Sequence, residues 1–201
     1  MSVRVLIRVR DASDPDSFDE LVGEIASNEA RPPLRAIVNL AGCITLKPAH
    51  LHTVDDWTTT FAAKATTAFS CVRSAGKHMK QGGSVVLVST VAASVGLPNH
   101  EAIAAAGAAV EGLARSAAAT YAARGLRVNV VAPALVDTPM ASRITSSERA
   151  LEHSRKMHPL GRIGTPEDVG SVIEWLASDE SGWVTGQVIG VDGGLGRVRT
   201  A

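Results

Sequence analysis

GGSVVLVST, residues 82–90, decides the fold. Four apolar residues, Val85 to Val88, follow one another without polar alternation. A strand wet on one face alternates; an unbroken apolar run rich in valine is how a strand covered on both faces reads, and such strands belong to parallel sheets. RAIVNLAG (35–42) and LRVNVVAP (126–133) have the same character. The segments between them, about 54–79 and about 101–124, carry helical spacing. The second opens HEAIAAAGAAVEGL (100–113), with small residues along one side. Strands alternating with helices of these lengths imply an α/β fold, a doubly wound, mainly parallel sheet with helices on both faces.

The flanks extend the pattern. Residues 2–10 alternate, with Val3, Val5, Ile7 and Val9 on one face, and predict a strand with one wet face. DASDPDSFDELVGEIAS predicts a helix capped by Ser13 or Asp14, with Pro15 in its first turn. TPEDVGSVIEWLAS (165–178) opens with a capping pattern, Thr165 followed by Glu167 and Asp168. GQVIGVDGG (186–194) reads as a last strand and turn, which makes about five strands. Residues 137–163 are polar and irregular with helical portions.

Composition bounds the function. The chain has 201 residues, 45% apolar and 20% charged, with a formal net charge of zero. Nucleic acid and anionic membranes demand a basic excess, so neither is expected as partner. No apolar run reaches the length of a membrane span. Cys43 and Cys71 have neither metal nor redox spacing and read as reduced thiols of a cytoplasmic protein. His50, His52, His78, His153 and His158 lack a ligand spacing with a third partner, and no metal site is expected.

Three segments resemble the short-chain dehydrogenase/reductase family. VNLAG (38–42) looks like that family's NNAG strand end. VNVVAPALVDTPM (128–140) looks like its segment beside the nicotinamide. PLGRIGTPEDV (159–169) with VTGQVIGVDGG (184–194) is similar to its C-terminal signature. The resemblance spans nearly the whole chain. It implies a single Rossmann-like domain over 1–201 and, as the family's usual activity, hydride transfer between NAD or NADP and a carbonyl or alcohol. It places Asp11, Asn39, Ala41, Gly42, Pro133, Ala134, Val136 and Thr138 at the cofactor, if a dinucleotide binds.

Two departures from the family's pattern bear on activity. No TGxxxGxG run occurs in the sequence; RVRDASDPDSF matches the family's third strand and its loop, so the expected domain lacks the first strand–helix–strand. Strand 2–10 is then expected to pair with strand 35–41. That would set Asp11, Asp14 and Asp16 where a diphosphate would lie, and no cofactor is expected to bind normally. The second departure is chemical. The family's Asn, Ser, Tyr and Lys positions fall on Lys64, Thr90, Ile103 and Gly107. Ile103 has no proton to give and Gly107 has no side chain.

The expectation is therefore a catalytically degenerate relative, a pseudoenzyme with a structural or partner-binding role. The alternatives are the family's NAD(P)-dependent oxidoreductase activity, and a non-redox isomerase-, cyclase- or lyase-type enzyme in the emptied pocket. If the chain is active, Thr90 and Lys64 are the candidates. Lys64 either acts as a base or Schiff-base amine, or snorkels to solvent or pairs with an acid such as Asp137. Thr90 either bonds a carbonyl ligand or caps the strand end, and His100 is an acid–base group or a cap. The resemblance also implies a homo-oligomer through helices 54–79 and 101–124, with an intact relative as the other partner considered.

Overall fold

A computed structural model of the chain describes residues 5–30 and 32–199. Among these residues one four-stranded sheet forms, all parallel, in the order β1 (Ala36–Val38), β2 (Gly83–Val88), β3 (Leu126–Pro133), β4 (Val188–Val191). The quoted run is its centre: Val85, Val86 and Leu87 have no exposed surface.

Helices cover both faces, as β2 and β3 require. Val85, Leu87, Val128 and Val130 face one way, onto α3 (Thr67–His78) and α4 (Glu101–Tyr121) through Ala68, Ala75, Val110 and Ala114. Val86 and Val131 face the other way and meet Leu176 of α7 (Pro166–Ala177). The alanines of α4 bring its axis close to the sheet, and this closeness governs the site described below. Each buried Val or Leu contributes about 1.5–3 kcal/mol by leaving water.

Local chemistry sets the helix starts. Asp14 caps α1 (Pro15–Ala26), accepting from the amides of Asp16 and Ser17. Asp19 then ties α1 to α3, accepting from Ser74 Oγ at 2.9 Å and Lys77 Nζ at 2.6 Å. In α7 the capping box closes through Asp168, not Glu167. Two short helices, α5 (Ser142–Thr145) and α6 (Glu148–Met157), fill the irregular segment before it.

Two expectations are corrected and one is refined. Residues 5–10 form no strand and do not pair with β1, so the sheet has four strands among the described residues and not five; residues 2–4 lie outside them. Val5, Ile7 and Val9 are 77%, 81% and 85% exposed, so alternation alone found no surface to bury against. The helix expected over 54–79 runs without a break as read, but one turn is widened: α2 (Val54–Phe61) passes into α3 through a π-helical turn at Ala62–Thr66. Three strands are also shorter than read, with three residues in β1, six in β2 and four in β4, whereas β3 spans 126–133 as read.

Candidate functional site

In a parallel α/β sheet, ligands bind outside the carboxyl ends of the strands. Here those ends gather Asn39–Gly42 after β1, Ser89 and Thr90 after β2, and Ala134–Thr138 after β3. Asn39, Ala41, Gly42, Pro133, Ala134, Val136 and Thr138 thus fall at one end of the sheet. Asp11 does not join them on any strand. It sits in an exposed turn, accepting from both the amide and hydroxyl of Ser13, and those bonds hold its carboxyl below the ordinary value. Because residues 5–10 do not pair with β1, the placing of an acidic loop under a diphosphate loses its basis. Asp14 is occupied as a helix cap, and Asp16 pairs with Arg73 at 2.7 Å.

Asn39 is the anchor of the β1 end. It is buried, its amide donates to Val86 O, its Oδ1 accepts from the Ala41 amide at 3.1 Å, and its Nδ2 donates to Thr67 Oγ1 at 3.0 Å. The Thr67 hydroxyl lies in turn 2.9 Å from Ala63 O and 3.1 Å from Lys64 O. The turn after β1 is thereby fastened to the π-helical turn that carries Lys64. π-Turns inside helices occur frequently at functional sites. Nothing in the sequence announces this one, and Thr67 carried no signal either.

Lys64 is 8% exposed and has no hydrogen-bond or ion-pair partner among the described residues; the pairing considered with Asp137 does not form. Its Nζ lies 3.9 Å from the point where a Cβ on Gly42 would stand. Burial pulls this ammonium below the ordinary lysine value, and a Cys43 thiolate would act in the opposite sense.

The other family positions are tightly packed. Ile103 is 7% exposed on α4. A Cβ on Gly107 would stand 2.9 Å from Ser89 Oγ, 2.9 Å from Thr90 Cγ2 and 3.3 Å from Ala93 Cβ. The pocket expected to be emptied there is closed at residue 107, where α4 lies against the end of β2 with no room for a side chain. Ser89 Oγ lies 3.1 Å from Gly107 O and 3.0 Å from Glu111 Oε1, which fastens the two elements. Thr90 Oγ1 accepts from the Ala92 amide at 3.3 Å, the strand-end role considered for it. His100 precedes α4 without a side-chain cap; its Nδ1 lies 2.7 Å from Pro98 O. No helix among the described residues is long and apolar enough to cross a membrane.

The family model described as enoyl-(acyl carrier protein) reductase matches residues 2–196. The 3-oxoacyl-(acyl-carrier-protein) reductase of Thermotoga maritima is 36% identical over 189 residues, 93% of this chain and 75% of that protein. A Xanthobacter autotrophicus protein described as an inactive 2-(S)-hydroxypropyl-CoM dehydrogenase 2 is 35% identical over 175 residues, 84% of this chain and 76% of that one. Among solved structures, the gluconate 5-dehydrogenase of Burkholderia cenocepacia in complex with NADP and tartrate superposes with a TM-score of 0.88. It is 25% identical, over 95% of this chain and 75% of that chain. A match over nearly the whole length, resting on the strand ends and the C-terminal signature as well as on the sheet, leaves one assignment: the chain belongs to the short-chain dehydrogenase/reductase family.

Proposed function

We propose that the chain is an NAD(P)-linked oxidoreductase that interconverts a carbonyl and an alcohol, with proton handling that does not run through residues 103 and 107. The observation that carries this reading is the gathering of Asn39–Gly42 and Pro133–Thr138 at the carboxyl ends of β1 and β3, the second of which resembles the family's segment beside the nicotinamide. The relative named above as a reductase and the NADP-bound neighbour support it. A bound nicotinamide supplies or accepts the hydride. Thr90 offers a hydroxyl to the carbonyl oxygen at the end of β2, and Lys64 is the other family position that keeps a proton to exchange. A positioned acid is worth about 10²–10⁴-fold in rate, so turnover well below that of a chain with the Tyr–Lys pair is expected.

Ile103 and Gly107 favour a second reading, a catalytically degenerate chain whose role is to bind a partner; a relative described as inactive is in keeping with it. In either case α3 and α4 are the proposed contact between copies. Phe69 is 46% exposed on α3, beside a groove of about 400 Å³ that Gly76, Ala117 and Tyr121 also line. A soluble, cytoplasmic protein is part of the same proposal.

Isothermal titration with NADH and NADPH, followed by cofactor oxidation in the presence of a panel of ketones and aldehydes, separates the readings. Micromolar binding with carbonyl-dependent oxidation supports the oxidoreductase. No binding up to millimolar cofactor, with a stable oligomer in native mass measurement, sinks it and leaves the degenerate chain.

A further inference from the structure

Lys64 is the one lysine of five that is buried. Lys47 pairs with Asp56, Lys77 with Asp19 and Lys156 with Glu152, and Lys80 is exposed. A buried ammonium without a counter-charge is costly, and folds rarely keep one without a use. Its position is built. The π-helical turn sets the side chain under the 39–43 turn, Thr67 and Asn39 fasten the two together, and Gly42 leaves no side chain over Nζ. All of this lies at the end of the sheet where ligands enter α/β folds.

We propose that Lys64 is a carbonyl-capturing amine: its neutral Nζ attacks the carbonyl carbon of an aldehyde or ketone ligand and holds it as an imine. In the first step the C–N bond forms, the C=O π bond breaks and a proton passes from nitrogen to oxygen, giving a carbinolamine. In the second, hydroxide leaves with a proton as water and the C=N bond forms. No oxidant or reductant takes part. Burial favours the neutral amine that the first step needs. The ligand class is that of the oxidoreductase reading, but the capture does not depend on hydride transfer or on a bound dinucleotide.

The test is reductive trapping at pH 7. The full chain is incubated with butanal and sodium cyanoborohydride, and the alkylated lysines are located by peptide mass mapping. Lys64 is expected to be labelled ahead of the exposed Lys80 and Lys156, with its label lost in Gly42→Val, which keeps the lysine and covers Nζ. Labelling that follows exposure, with Lys80 and Lys156 modified and Lys64 untouched, overturns the proposal. So does equal labelling of Lys64 in the native chain and in Gly42→Val, or in urea-unfolded chain. Neither outcome bears on cofactor oxidation, so failure here leaves the oxidoreductase reading standing, and failure of that reading leaves this result intact.

Discussion

Gly107 on α4 and Thr90 at the end of β2 stand so close that a Cβ on Gly107 would lie 2.9 Å from Thr90 Cγ2. The family's lysine position is thus sterically shut as well as chemically empty. Ile103→Tyr with Gly107→Lys is accordingly expected not to rebuild the family's proton relay. Forcing side-chain atoms into a packed contact costs about 1–3 kcal/mol, which exceeds the roughly 1 kcal/mol a helix gains when glycine is replaced. Urea unfolding should show a lower midpoint than that of the native chain. A midpoint raised by the double substitution would mean that α4 backs away freely.

That contact also marks where reading the sequence stops. The runs 35–42, 82–90 and 126–133 gave away the parallel sheet because burial on both faces leaves no room for alternation. Ile103 and Gly107 were legible as missing chemistry. The closing of the pocket was not, since it depends on how near the alanines of α4 let the helix settle. The π-turn was hidden for a similar reason: helical spacing over 54–79 looks the same whether or not one turn is widened. Residues 2–10 misled because period two requires an apolar partner surface, and none meets Val5, Ile7 or Val9 in the described chain.

Lys64 should make the chain unusually sensitive to alkali in the favourable direction. Its folded pKa lies below its unfolded value, so the unfolded state binds more protons between the two. Stability therefore rises with pH across that window, at up to about 1.4 kcal/mol per pH unit. Below the folded pKa the penalty is fully present. Lys64→Met keeps the stem and removes the charge; it should be more stable than the native chain at pH 7, with a flatter profile up to pH 10. Parallel profiles for the two proteins would show that Lys64 titrates normally.

Acid should act through two partly buried carboxylates with double duty. Asp56 closes the cap of α2 and accepts from Lys47 at 2.7 Å, which draws its pKa down to about 2. Asp168 closes the cap of α7 and takes both Arg162 nitrogens, at 2.6 and 2.9 Å, and is lowered further. Both pKa values are depressed by folding, so their stabilisation is present above the unfolded carboxylate value and fades as pH falls through the folded ones. Asp56→Asn combined with Asp168→Asn should lower the urea midpoint at pH 7. Its loss of stability between pH 5 and pH 2 should be shallower than that of the native chain. A double variant that loses as much stability over that range would assign acid sensitivity to other groups.

The outer faces of α3 and α4 give the assembly prediction. Phe69 is nearly half exposed, beside a groove that Leu113 and Tyr121 also line. An isologous contact doubles every such feature, because each residue meets the same surface on the second copy. One charge at Phe69 therefore places two arginines in a single interface, where like charges repel and are desolvated together. Phe69→Arg should convert the native assembly to monomer in light scattering at micromolar concentration. Its monomeric fold should survive, since half of the side chain already faces outward. If the native chain is itself monomeric, or if the variant keeps the native mass, the contact lies on another face.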